Sequence, residues 1–136
     1  MPFLLDSNAW IIWLRQSHPQ MVARIKKEPP TNLLLCSVVV GELIYGAERS
    51  GLTHRANNLL QVAQLRGAFT SLPFDDHAAE EYGRIRAYLT SAGQVIGPND
   101  MLIAAIALTN GCVLVTHNTT EFSRVHGLPI EDWQIP

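Results

Sequence analysis

Apolar residues fall in two alternating patterns along this chain: short unbroken runs, and longer stretches where they recur every three or four positions. Phe3-Leu4-Leu5 is the first run, broken by the polar Asp6-Ser7-Asn8. Trp10, Ile11 and Leu14 then resume, which predicts a buried strand followed by a helix capped by Ser7 or Asn8. Between His18 and Glu28, Met21, Val22 and Ile25 sit at helical spacing, and Pro29-Pro30 ends that helix. Leu33-Leu34-Leu35-Cys36 predicts a second short strand, with Ser37 as the expected cap of a helix through Val38 to Tyr45. Thr53 to Ala68 reads as a further helix, with Leu59, Leu60, Val62, Ala63 and Leu65 on its inner face.

The second half repeats the alternation. Leu72-Pro73-Phe74 is a weaker strand signal, and Asp75 starts a helix whose Ala78, Tyr82, Ile85 and Leu89 share one face. Gly97-Pro98-Asn99-Asp100 opens a helix through Met101 to Leu108 that is apolar on every side, as a central buried helix should be. Asn110-Gly111 stops it, Cys112-Val113-Leu114-Val115 predicts a third clear strand, and a polar loop and a short tail around Ile130 to Ile135 follow. Strands alternating with helices predict an α/β fold around a mainly parallel sheet. No internal repeat, linker or low-complexity tract interrupts the pattern, so residues 1–136 read as one domain.

Composition narrows this picture. Hydrophobic residues are 47% and charged residues 16% of 136, enough to build a core and far from a disordered composition. No apolar run approaches the roughly 20 residues of a membrane span, and the first apolar run meets Asp6 at once, without a basic segment before it. Cys36 and Cys112 both lie in apolar runs and read as buried reduced thiols. A cytoplasmic protein is expected. The net charge of −2 disfavours a nucleic-acid partner at first sight. Four of the twelve acids are better assigned to a cation site, and without them the remaining surface is weakly basic.

Those four are Asp6, Glu42, Asp100 and Glu121. In parallel sheets the ligand site lies at the carboxyl ends of the strands. Asp6 follows the first strand directly, Glu42 lies two turns into the helix after the second, Asp100 opens the all-apolar helix, and Glu121 comes shortly after the third clear strand. Each also has a plain structural role open to it: Asp6 as a helix cap, Glu42 on a solvated face, Asp100 against a helix dipole and Glu121 in a loop. Together, carboxylates crowded at one edge repel and raise one another's pKa values. A hard divalent cation resolves that repulsion, and an all-oxygen donor set points to Mg²⁺, with Mn²⁺ next, over zinc. Such an ion suits phosphodiester hydrolysis.

Four ordered blocks carry a family resemblance: Phe3-Leu4-Leu5-Asp6-Ser7-Asn8, Ser37-x-x-x-x-Glu42-Leu43-x-x-Gly46, Gly97-Pro98-x-Asp100-x-x-Ile103-Ala104 and Val115-Thr116-x-Asn118-x-x-Glu121-Phe122. The series resembles the PIN-domain ribonucleases, specifically the VapC toxins, across nearly the whole chain. The closing Glu121-Phe122-x-Arg124-Val125-x-Gly127-Leu128-x-x-Glu131-Asp132-Trp133 resembles the subgroup that cuts initiator tRNA in its anticodon loop. The resemblance implies a three-layer α/β/α sandwich, Mg²⁺-dependent RNA cleavage and neutralisation by a VapB-type antitoxin. It implies Asp6 and Asp100 as principal metal ligands, with Glu42 completing the acidic cluster. Many PIN domains carry an Asp where this chain has Asn118, which can serve only as a neutral ligand or hydrogen-bond partner, and Glu121 is the nearest acid able to take over that fourth role. Ser7, Asn8, Ser37 and Thr116 are candidates for orienting the acids, or for helix capping.

The cations form no tract: Arg15, Lys26, Lys27, Arg49, Arg55, Arg84, Arg86 and Arg124 are scattered, and a subset is expected to rim the acidic pocket. Trp10, Trp13, Leu14, Leu52, Leu59 and Leu60 exceed what one helix face needs, a surplus that suits extra core, a homodimer contact or an antitoxin groove. Two rival readings remain at this stage. One is a metal-independent RNase using His117 and His126 as acid and base. The other is a non-catalytic RNA- or protein-binding module of the same fold. A phosphatase or nucleotide binder is disfavoured by the lack of a glycine-rich phosphate loop.

Overall fold

In the computed structural model, which describes residues 1–136, five short strands form one fully parallel sheet. They are β1 (Phe3–Leu5), β2 (Leu33–Cys36), β3 (Thr70–Leu72), β4 (Val113–Val115) and β5 (Ile130–Glu131), in the spatial order β3-β2-β1-β4-β5. Leu4 stands opposite Leu34 on one side and Leu114 on the other. Seven helices flank the sheet: α1 (Ser7–Arg15), α2 (Pro19–Lys27), α3 (Ser37–Glu48), α4 (Arg55–Ala68), α5 (Asp76–Ser91), α6 (Pro98–Thr109) and α7 (Thr119–Phe122). The chain steps outward one way from β1 to β3, then returns to β4 and continues the other way. Right-handed crossovers therefore put α1–α4 on one face and α5–α7 on the other, the three-layer sandwich expected.

Burial follows from this layering. A parallel sheet covered on both faces needs continuously apolar strands, and Leu4, Leu5, Leu35, Leu114 and Val115 are fully buried. Ile103, Ala104, Ala105, Ile106 and Ala107 of α6 are buried in succession, as its all-round apolarity predicts. Thirty-three buried residues make one contiguous hydrophobic cluster, each large side chain contributing roughly 1.5–3 kcal/mol. Cys36 and Cys112 are buried and unpaired, and burial pushes the Cys36 thiol up to about 11. No helix is long and apolar enough to cross a membrane.

Several local expectations are corrected. Asp6, rather than Ser7 or Asn8, caps α1: its Oδ1 accepts from the Ala9 N–H at 2.9 Å. Ser37 is the first residue of α3 and makes no capping bond; its hydroxyl donates across to the Leu72 carbonyl at 3.4 Å. On α4, Val62 and Leu65 are buried and Leu59 is half-buried, whereas Leu60 and Ala63 face outward. The third strand lies two residues earlier than Leu72-Pro73-Phe74, because Pro73 has no N–H to give a ladder. Trp10 is core rather than surplus, fully buried with its indole N–H donating to the Leu34 carbonyl at 3.3 Å. Helix α7 and strand β5, four and two residues long, lie inside what read as loop and tail.

Candidate active site

The strand order reverses between β1 and β4, and a crevice opens at their carboxyl ends where successive helices leave in opposite directions. Asp6 and Thr116 occupy those two ends. The Asp6 N–H donates to the Val115 carbonyl at 3.1 Å, and the Thr116 N–H donates to the Glu131 carbonyl at 3.0 Å, so both are fixed by the sheet itself. They are the two buried polar or charged residues of the whole chain, Asp6 being 8% and Thr116 2% exposed. A buried carboxylate is costly without compensation, and here it stands at the switch point.

The other acids gather around it. Burial raises the Asp6 carboxyl, hydrogen bonds with Thr116 and Ala9 oppose the rise, and the charges of Glu42 and Asp132 add to it. Asp100, in the first turn of α6, is pushed up to about 6, first by burial, then by a hydrogen bond with Glu121 and its charge, then by Glu42 and Asp6. Asp6, Glu42, Asp100 and Glu121 are thus brought into one electrostatic cluster, as expected from their places in the alternation.

Neighbouring side chains hold the acids in place. The Ser7 hydroxyl donates to Glu42 Oε1 at 2.6 Å, linking α1 to α3. Asn118 donates through its side-chain amide to Glu121 Oε2 at 2.8 Å, and its own N–H donates to the Thr116 hydroxyl at 3.0 Å. Asn8 is exposed and makes no side-chain hydrogen bond to the acids. Gly97 matters sterically: a Cβ there would meet Asp100 Oδ2 at 3.3 Å, tighter than ordinary contact.

The donor set is all oxygen and over-charged, which fits a hard divalent cation. No three acid, His or Cys side chains already close on one point as a finished ligand shell.

A groove of about 300 Å³ adjoins the cluster, lined by Ile11, Leu14, Arg15, Glu42, Arg49 and Gln61 among others. Arg15 and Arg49 thus share this groove with Glu42. Arg55 and Arg84 are paired with Glu48 and Glu81, Arg86 donates to the Tyr82 hydroxyl, and Arg124 lies by the Val95 carbonyl. Of the two histidines considered as an acid–base pair, His117 is bound to Asp132 at 2.8 Å, while His126 is exposed. Asp132 was missed from the sequence, because it follows a strand of two residues that gives no periodicity to read.

Comparison with known proteins finds relatives over nearly the whole chain. The PIN domain family matches residues 3–128. The chain is 37% identical to a tRNA(fMet)-specific endonuclease VapC of Shigella flexneri, and 36% identical to a protein of the same description from Salmonella typhimurium. Both alignments span 98% of each chain. The structure superposes on that of a DNA-bound VapBC complex from Salmonella typhimurium with a TM-score of 0.89, at 35% identity over 98% of both chains. With the same fold, and with sequence similarity running from end to end, this chain belongs to the PIN-domain family, in its VapC branch.

Proposed function

We propose that this protein is a metal-dependent endoribonuclease, the toxin of a toxin–antitoxin pair, and that its RNA is initiator tRNA, cut in the anticodon loop so that translation stops. The observation that carries the reading is the carboxylate cluster around Asp6 at the switch point of the sheet. Nothing in folding requires a buried acid there beside three others, and a cation-dependent hydrolase does. Relatives 36–37% identical over the full chain are described as tRNA(fMet)-specific endonucleases, which supports the choice of RNA.

Asp6 and Asp100 would hold the cation, with Glu42 completing the cluster and Mg²⁺ the expected ion; Mn²⁺ fits the same oxygens. When bound, the ion would lower the pKa of water and offset charge on the reacting phosphate. The chain's own groups do the rest. Ser7 and Thr116 hold Glu42 and Asp6 in fixed orientations. Asn118 keeps Glu121 beside Asp100, where the Glu121 carboxylate would take up the proton leaving the attacking water. Arg15 and Arg49 are positioned to meet phosphates next to the cut. The recessed cluster demands a strand that can bend into it, which favours a loop over a duplex.

A VapB-type antitoxin and a second copy of the chain are the proposed protein partners, and the cytoplasm, where tRNA is found, is the proposed place of action. Leu52, which is 97% exposed, with Tyr45 and Leu60, leaves an apolar surface around α3 and α4 that suits a partner helix. The test is to map the ends left on total tRNA by antitoxin-free protein. Water attack predicts a 5′-phosphate at one position in the anticodon loop. A cyclic phosphate would mean attack by the RNA's own 2′-hydroxyl and would overturn the mechanism.

A further inference from the structure

His117 lies between two residues at the acidic cluster, Thr116, at the strand end beside that of Asp6, and Asn118, bonded to Glu121. Its side chain is 60% exposed, yet it is not free to swing. Asp132 Oδ2 lies 2.8 Å from His117 Nδ1, while Asp132 Oδ1 accepts from the Gln134 N–H at 3.0 Å. Both carboxylate oxygens are thus engaged, and the Asp132 side chain is only 9% exposed. Held at Nδ1, the exposed ring has Nε2 as its remaining nitrogen for a ligand. An exposed ion pair adds little to stability. A buried acid orienting an exposed imidazole beside a reaction centre is, by contrast, how a side chain is held ready for a ligand.

We propose that His117 is a substrate-contact residue, its Nε2 meeting the ribose–phosphate backbone of the RNA next to the scissile bond, and that Asp132 is its positioning residue. The proposal rests on the ribonuclease reading and adds to it the group that grips the strand on the β4–β5 side of the cleft. Arg15 and Arg49 line the groove beside Glu42, between α1 and α3. A 2′-hydroxyl would donate to the neutral ring, and a phosphate would accept from the protonated one.

The test measures binding of a fluorescein-labelled anticodon stem-loop to Asp6→Asn protein, which cannot turn over, with and without His117→Ala. Loss of the contact weakens binding about tenfold, the worth of one hydrogen bond to a charged partner. In the wild-type background KM rises by a similar factor and kcat stays within about twofold. His117→Gln, which keeps a hydrogen-bonding tip, restores part of the affinity. Asp132→Asn weakens binding less, and adds nothing once His117 is gone. A stem-loop with 2′-deoxy sugars flanking the cut tells the two backbone groups apart: a narrowed gap between the proteins assigns the 2′-hydroxyl, an unchanged gap the phosphate. Equal affinity with and without His117, in a protein whose parent cleaves this RNA, overturns the proposal alone. No binding by Asp6→Asn and no cleavage by the wild type removes the ribonuclease reading and this contact together.

Discussion

Asp6 performs two tasks that ordinarily conflict. Its Oδ1 caps α1, and its charge, buried and crowded by Glu42 and Asp132, contributes to the cluster that would bind the cation. Asparagine caps a helix about as well as aspartate, so Asp6→Asn should leave metal-free stability unchanged or raised while abolishing cleavage. Asp6→Ala should lose the cap as well and cost about 1 kcal/mol in chemical denaturation. If Asp6→Asn instead destabilises the metal-free protein, burial and repulsion are not what raises its carboxyl. Gly97→Ala bears on Asp100 in the same way. Its backbone is already in a region open to alanine, so the helix should survive, while the added methyl displaces a carboxylate 3.3 Å away. Activity should fall about tenfold or more with the circular dichroism spectrum retained; unaltered activity would show that Asp100 tolerates the shift. Glu121→Gln should fold normally and lose activity, and full activity would take Glu121 out of the chemistry. These acids were legible in the sequence, since each stands where an apolar element begins or ends. Their partners were less so, because a bond such as Ser7 to Glu42 spans 35 positions and leaves no local trace.

The long helices were readable because burial imposes a period on them, and the central strands because burial on both faces makes them unbroken apolar runs. The α5 face and the all-round apolarity of α6 are direct images of their surroundings. The edges of the sheet were not readable. Strand β3 is mostly polar (Thr70-Ser71-Leu72) and β5 has two residues, so neither shows an unbroken apolar run, and both exist because a neighbouring strand offers them a ladder. At α1 the cap lies one residue before Ser7, since Ser and Asp are both good caps and the choice between them is made by where the strand stops; at α3 Cys36 takes the cap position with no side-chain bond. Within the elements, Ile106 tests the packing account. It is fully buried in α6, and Ile106→Ala should cost about 2–5 kcal/mol in chemical denaturation. A loss below about 1 kcal/mol would mean that the helix is not gripped on all sides.

At the scale of the whole molecule, the parallel sheet gathers acids at one edge, and that concentration of charge works against folding until something offsets it. The sign follows from the protons bound. Asp100 is raised to about 6 in the folded protein from an ordinary value near 3.8, so the folded state holds more protons between those values. Metal-free protein should therefore become more stable as the pH falls from about 7 towards 4, with Asp6 acting in the same direction, until other groups titrate. Magnesium at neutral pH should raise the melting temperature and flatten this dependence, since an ion bound only by the folded state stabilises it by mass action. A melting temperature indifferent to both pH and Mg²⁺ would separate the acids from one another and from any ion. The central claim is that Asp6 and a bound divalent ion together cut RNA. The most direct measurement incubates wild-type and Asp6→Asn protein with total tRNA, first in Mg²⁺ and then in EDTA. The account predicts cleavage by the wild type in Mg²⁺ alone, and none by Asp6→Asn in either. Cleavage that persists in EDTA, or in the folded Asp6→Asn protein, would contradict it.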